Sequence, residues 1–348
     1  MYKIKNFKNN NEEIINHNSN LIFEDLISDS FVRFSFDKTF CVFKSINNIF
    51  YIIYSKKNNS IISYNMITKQ KINEIKDAHK NYISSIINFF DKNNKRDLIM
   101  SISAEDNNIK IWNVCNFNCL ISIENINKAG LILSSCFLND NNQIYIITSN
   151  RHFGKNIENI KVYDLKRNKI KEIKDSNHNT FFIDIYYDKK LSKNFIITGN
   201  DSYSISYEYH KNKVYKKYCG QGKFFNRSLI VSDKEEIIKL IESNDEGFII
   251  IWNFHSGEFL KKINLCNNYL CGICLLDRYY LFVGCYNRKI IILDLFNDKI
   301  INRLDGHEHS VITIKKIIHP KYGECFLSQG LSNDKIKLLV FKSRIINN

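Results

Sequence analysis

The sequence predicts an all-β protein: a seven-bladed β-propeller of four-stranded antiparallel blades, its ring closed by an N-terminal strand. Three observations carry that expectation. A short β-branched run ending in an aromatic residue or leucine recurs seven times, with anchors at Tyr64, Trp112, Tyr163, Tyr207, Trp252, Leu293 and Leu339. Their spacings of 48, 51, 44, 45, 41 and 46 residues fit the period of about 40–45 residues that marks propeller blades. The clearest repeats each hold four apolar runs separated by polar turns, one blade's complement of strands. The last repeat has only three before the sequence ends.

Composition is compatible with this architecture. Of 348 residues, 44% are hydrophobic and 25% charged, which suffices to bury a core. Proline occurs once, at Pro320, and glycine 12 times, few for a chain rich in turns. Asparagine takes their place: the doublets Asn47-Asn48, Asn58-Asn59, Asn93-Asn94, Asn107-Asn108 and Asn141-Asn142 all sit between apolar runs, and Asn tolerates the left-handed backbone that tight turns need. The net charge of +14 is what Lys- and Asn-rich codon usage would give, and it bears on solubility more than on fold.

The organisation reads as a polar segment over residues 1–20 followed by one propeller over 21–348. The first segment lacks the apolar stretch of a secretory signal. Runs such as 49–54 and 290–293 are far short of the roughly 18 residues that span a bilayer. Ten cysteines in such a chain are read as reduced thiols in a cytoplasmic or nuclear protein.

Taken in order, the second repeat places strands at 83–90, 97–103, 108–114 and 118–123, and the sixth at 269–276, 279–285, 288–294 and 299–304. The seventh supplies 311–317, 324–329 and 335–341. Its missing strand is expected from 31–36, where Phe31, Arg33 and Ser35 alternate with Val32, Phe34 and Phe36; Leu21–Ile27 is the competing choice. Pairing of the two ends removes the one open edge in the ring.

The runs Ile109-Lys110-Ile111-Trp112-Asn113 and Ile249-Ile250-Ile251-Trp252-Asn253, each after an acidic turn, resemble the WD-repeat family over about residues 30–342. That resemblance implies a hydrogen-bonded set joining a loop His, a strand Ser or Thr, a turn Asp and the strand Trp. His79, Asp106 and Trp112 match it, with Ala104 where the hydroxyl is expected and Ser103 one position off. His307, after Gly306, matches ahead of the seventh repeat, whose strand carries Leu339 in place of Trp. Glu246 stands for Asp ahead of Trp252. These five residues, His79, Asp106, Trp112, Trp252 and His307, are expected to be structural anchors. Further phrases, 195–200, 251–257 and 317–325, resemble WD-repeat proteins expanded within a lineage and imply no activity.

Catalytic chemistry finds little support. Cys266, Cys271 and Cys274 are the only tight cysteine cluster, but on a strand 271 and 274 face opposite sides and cannot share a metal without a bulge. Cys115 and Cys119 read likewise as packing thiols. His307 and His309 lack a third ligand. Neither a nucleophile elbow nor a phosphate loop occurs, and no Arg-Arg pair is present for gripping phosphoinositides. The expectation is no enzyme, no metal, no cofactor and no small-molecule substrate.

Function is then sought on loops. The segment 150–156, with Arg151, His152, Phe153 and Lys155, is too long for a turn between the second and third strands of repeat three. On the same face are expected Lys80 and Tyr82, His178, Tyr203, Phe224 and Phe225, Tyr286 and Arg288, and His307 and His309. Aromatics interleaved with cations suit acidic or phosphorylated protein segments, giving a scaffold or adaptor; the alternative is a basic RNA-binding propeller in a ribonucleoprotein.

Overall fold

In a computed structural model the described residues are 21–33, 38–124, 130–152, 160–173, 180–232, 237–277 and 279–341. The first strand, β1 (Leu21–Ile27), precedes blade one, which holds β2 (Phe40–Lys44), β3 (Phe50–Ser55), β4 (Ile61–Asn65) and β5 (Gln70–Ile75). Blade two holds β6 (Ile83–Asp91), β7 (Arg96–Ser103), β8 (Asn108–Asn113) and β9 (Cys119–Ile123). Blade three holds β10 (Gly130–Asp140), β11 (Gln143–His152), β12 (Ile160–Asp164) and β13 (Lys169–Ile173); blade four holds β14 (Phe182–Asp188), β15 (Lys193–Gly199), β16 (Tyr203–Glu208) and β17 (Lys213–Cys219). Blade five holds β18 (Phe225–Ser232), β19 (Ile238–Asn244), β20 (Phe248–Asn253) and β21 (Phe259–Asn264); blade six holds β22 (Leu270–Leu275), β23 (Tyr280–Cys285), β24 (Ile290–Asp294) and β25 (Lys299–Leu304). Blade seven is β26 (Val311–His319), β27 (Gly323–Gly330) and β28 (Ile336–Phe341), completed by β1. The seven four-stranded antiparallel sheets form a ring, and no helix occurs among the described residues.

Closure uses Leu21–Ile27 and not the favoured 31–36. Strand β1 runs antiparallel to β28 from Leu21 opposite Phe341 to Ile27 opposite Ile336. Asp25 sits across from Lys337 and pairs with both Lys335 and Lys337. Of 31–36, residues 34–36 lie outside the described residues, and Val32 makes only an isolated bridge to Ser332. The reason is length: after β1, 31–33 must lead across from the outer edge of blade seven to the inner strand of blade one. Phe31 N–H donates to Ser55 O at 2.9 Å on the way.

The anchors have one structural meaning. All seven lie on the third strand of a blade, six of them at its penultimate residue. Burial is organised as seven apolar clusters, one per blade boundary, and every anchor belongs to the cluster shared with the preceding blade. Trp112 packs with Cys41, Ile53 and Ile61 of blade one, Trp252 with Phe195 and Tyr218 of blade four, and Leu339 with Phe282 and Ile292 of blade six. Tyr64, Tyr163, Tyr207 and Leu293 do the same at the other boundaries. The third strand thus acts as a wedge.

Opposite the anchor in blades one to six, the outer strand carries an extra residue: Ile72, Leu120, Ile170, Tyr215, Leu260 and Ile301. Such bulges raise the local twist and spoil an edge for pairing with another chain. The same strands carry Lys71, Lys169, Lys171, Lys213, Lys216, Lys217, Lys261, Lys262 and Lys299, the residue type that protects open edges. Much of the basic excess therefore has a structural use on the rim.

Turns follow the asparagine reading. Asn48, Asn59, Asn107, Asn141 and Asn142 all have positive φ; in the remaining doublet, at 93–94, the left-handed residue is the next one, Lys95. At the turn end opposite the inner-strand entries, adjacent blades are tied by Asn93 Nδ2 to Asn142 O, Asn194 Nδ2 to Asp140 Oδ1 (2.8 Å), and close imidazole–carboxylate contacts His210–Asp140 and His255–Asp188, each at 3.0 Å.

Two outcomes are expected. Trp112→Ala or Trp252→Ala should each cost about 3–5 kcal/mol in urea denaturation, and a loss below about 1 kcal/mol would contradict the wedge role. Removal of residues 1–27 should uncover the β28 edge and produce concentration-dependent association on size-exclusion chromatography.

Candidate functional site

The connection entering each inner strand and the turn between the second and third strands lie at the same end of a blade, and hydrogen bonds join them. Asn81 N–H and Nδ2 donate to Asp106, Asp245 N–H to Phe224 O, and Tyr286 N–H to Tyr269 O. Bonds also run between blades: Asn59 Nδ2 to Lys80 O, Phe224 N–H to Asp201 O and Ser310 Oγ to Tyr286 O. At these boundaries the described part of the rim is tied by hydrogen bonds.

Beneath it are three versions of one buried polar set. In blade two, Trp112 Nε1 donates to Ser101 Oγ at 2.8 Å, and that hydroxyl lies 2.7 Å from His79 Nε2. The indole can only donate, so Ser101 Oγ accepts from it while sharing a second hydrogen bond with His79. Burial and the nearby Lys110 push His79 down to about 4. The hydroxyl expected near Ala104 or Ser103 is therefore Ser101, on β7. Asp106 engages Asn81 and Ser103, and His79 Nδ1 has no hydrogen-bond partner among the described residues.

Blade seven holds the complementary half. His307 Nδ1 donates to Asp334 Oδ2 at 3.0 Å and Nε2 hydrogen-bonds with Ser328 Oγ at 2.8 Å, with Leu339 at the tryptophan position. Burial works to raise the Asp334 carboxyl, but the bonds from His307 and from the His309 and Lys335 amides outweigh it and hold it low. In blade five, Trp252 Nε1 donates to Glu242 Oε2 at 2.9 Å, so a carboxyl occupies the place of Ser101 and Ser328. Glu246, ahead of Trp252, instead accepts from Asn244 Nδ2 at 3.1 Å. Burial pushes Glu242 up to about 8, against the bond from Trp252.

A strut also crosses the bore. Lys38, before blade one, donates to Ile183 O at 3.0 Å and pairs with Asp184 Oδ1 of blade four at 3.2 Å; Ser228 Oγ of blade five donates to Asp184 Oδ2. Charged groups thus fill the ring axis at this level.

The expected contact residues separate into three groups. Exposed on the rim are Tyr286, Arg288 and His309, with Tyr82 half-buried. Tyr286 (51% exposed) and Tyr269 (50%) lie 5.4 Å apart with their rings tilted by 56°, Phe224 lies 6.4 Å from Phe181, and Tyr82 is 5.2 Å from Phe31 with the Arg33 guanidinium 4.8 Å above its ring. Tyr203 and Phe225 are not on this surface. Phe225 is fully buried between blades four and five, and Tyr203 packs between blades three and four, with Lys217 Nζ 3.6 Å over its ring. Both are first residues of strands whose side chains turn into the wedge.

The 150–156 segment begins as strand: β11 continues through His152, with Arg151 opposite Leu131 and His152 opposite Gly130. Phe153, Lys155 and His178 lie outside the described residues. Sequence reasoning passed over Phe31, Arg33, Phe181 and Tyr269. The signal for two of these was available, because the residue immediately before the inner strand is aromatic in four blades: Tyr82, Phe181, Phe224 and Tyr269.

Cys271 and Cys274 do diverge, although β22 has a bulge between Leu270 and Ile273. Cys274 packs at the blade six–seven boundary, whereas Cys266 and Cys285 pack at the five–six boundary. The described residues contain no group of three or more His, Cys, Asp or Glu side chains suited to a metal, and no helix long and apolar enough to cross a membrane. No protein-family model matches the chain, and no curated protein matches it.

Glu242 generates a pH prediction. Its folded pKa is raised, so its contribution to stability is complete below the unfolded value of 4.5 and is lost as pH rises through about 8. Thermal melts of Glu242→Gln should fall less between pH 6 and pH 8 than those of the parent; parallel profiles would contradict a buried neutral acid.

Proposed function

We propose that this propeller is a non-catalytic scaffold of WD-repeat type that binds acidic or phosphorylated protein segments on the rim carrying the inner-strand entries. The observation that supports it best is the exposed Tyr269–Tyr286 pair beside Arg288 and His309, at one sector of that rim. Rigid aromatic rings next to a guanidinium give a partner apolar contact and a charge-matched anchor at small entropic cost. Arg288 is held in a left-handed turn, with its N–H bonded to Cys285 O at 3.2 Å, so its backbone is set before binding. Arg33 over Tyr82, together with Lys80, offers a second such sector.

The RNA alternative draws on the charge, including the lysines of the outer strands. Several are already stacked on rings of their own blades, as Lys262 is on Phe248 at 4.0 Å. The two readings part on salt: RNA binding through phosphate neutralisation weakens steeply between about 50 and 200 mM.

The test is affinity capture on the purified protein, with Arg288→Glu and Tyr286→Ala as comparisons and melting curves to show that the variants remain folded. A bound protein lost by about tenfold or more in both variants is the expected outcome, in line with a contact hot spot. Identical capture by parent and variants would refute this sector as the interface.

A further inference from the structure

The end of the ring opposite the inner-strand entries carries, in each blade, the turn between first and second strands and the turn between third and fourth strands. Ile46 N–H of blade one donates to Asp97 Oδ2 of blade two at 2.9 Å. The contacts of Asn93, Asn194, His210 and His255 carry the same tying on to blade five. Turn tips of neighbouring blades are thereby held beside one another.

Charge at this end is sorted by depth. In blades two to four the tips carry Lys92, Lys95, Lys166, Arg167, Lys189 and Lys190, all exposed. The carboxylates of the same turns cap backbone instead. Asp91 accepts from Asn94 N–H and Nδ2 and from Arg96 Nε, Asp164 from the Lys166 and Asn168 amides, and Asp188 from Lys190 N–H at 2.8 Å and Leu191 N–H at 2.9 Å. Asp91 and Asp188 are buried and Asp164 is half-buried. Glu208, also buried, is engaged by Lys193 and Lys211. A capping Asp must face its own turn's amides, so the residues that make these turns leave the cations outermost.

Large apolar side chains stand exposed among these cations. Phe90 and Tyr187, the penultimate residues of the inner strands β6 and β14, are 40% and 51% exposed; Leu191, in the turn after β14, is 42% exposed and Ile46 is 52% exposed. Grouped on tied turns, such residues mark an interaction surface, whereas single scattered ones do not.

We propose that this end of blades one to four docks on an anionic lipid bilayer, with the lysines and Arg167 among the headgroups and Ile46, Phe90, Tyr187 and Leu191 entering the interface. Charge complementarity supports this occupant, because basic side chains at a surface are drawn to the negative potential of acidic lipids. The apolar tips add the second force. Peripheral binding strengthens with buried apolar area as well as with charge, and the two act together only where both kinds of side chain share one face. Single-stranded RNA fits the same charge less well, since it asks for flat rings on which bases stack, and Ile46 and Leu191 offer none. The basic sector is bounded: on blades five and six the same end exposes Glu258 and Asp298. A propeller docked this way keeps the Tyr269–Tyr286 sector on the end facing away from the lipid, and docking does not depend on the scaffold reading.

The test is flotation of the purified full chain with phosphatidylcholine vesicles, with and without about 30% phosphatidylserine. The protein should float with the anionic vesicles and stay behind with the neutral ones. Lys189→Glu should weaken that binding about fivefold or more, the factor expected of one basic residue at an acidic surface. Lys223→Glu makes the same change of charge at an exposed residue beside the inner-strand entry of blade five, and should leave vesicle binding unchanged. Replacing both Tyr187→Ser and Leu191→Ser should weaken binding about tenfold or more without altering net charge. Melting curves establish that each variant is folded. Equal flotation with both vesicle types, flotation with neither, equal losses from Lys189→Glu and Lys223→Glu, or no loss from the Tyr187 and Leu191 replacements would overturn the proposal. Binding of a polyuridine RNA of about 20 nucleotides in place of vesicles would also overturn it, and would reassign the surface to nucleic acid.

Discussion

Everything in this ring depends on one packing constraint: the anchor side chain near the end of each third strand must fill the wedge between its own sheet and the preceding one. A single four-stranded sheet has two apolar faces and cannot bury either alone. Setting sheets face to face around an axis buries both, and the only free variable at each boundary is what fills the gap. Trp, Tyr and Leu all serve, because each boundary adds its own strand residues to suit, as Phe282 and Phe326 do by stacking at 4.0 Å beside Leu339. The ring has no common centre of hydrophobicity; its axis is occupied by polar and charged groups such as Lys38 and Asp184.

Hydrogen bonding is subordinate to that packing. The site two residues beyond the anchor's partner on the second strand is occupied by Ser101, Glu242 and Ser328 in blades two, five and seven. Each answers whichever neighbour its blade provides: an indole and an imidazole, an indole alone, or an imidazole backed by a carboxylate. The position is constant while its chemistry drifts, as expected if burial supplies most of the stability and the polar set tolerates incomplete pairing, as at His79 Nδ1 and Glu242 Oε1. Glu242 avoids an unpaired charge by keeping its proton.

Much of the architecture was legible because its signal is periodic. The anchors, the four runs per blade and the asparagine turns each repeat, and repetition separates them from accident. Single events were harder to read. The closing strand was misassigned because 31–36 alternates as well as Leu21–Ile27 does, and only the distance the chain must travel to reach β2 decides between them. Ser101 was missed because its partner Trp112 is across the sheet and not along the chain. Tyr203 and Phe225 were read as surface because they adjoin turns. A residue that opens a strand can point into a wedge, while its immediate neighbour, Phe224, points out.

Joining β1 to β28 has a consequence for biosynthesis. Asp25 and Lys335, which meet in the finished ring, are 310 positions apart. At about 5–20 residues per second, on the order of 15–60 s separates their emergence from the ribosome. During that interval the early strand has no mate, and blades one to six can assemble beside it as an open arc. The seventh blade is therefore a clasp fastened last, and the nascent chain must keep one sticky ribbon from fastening to anything else.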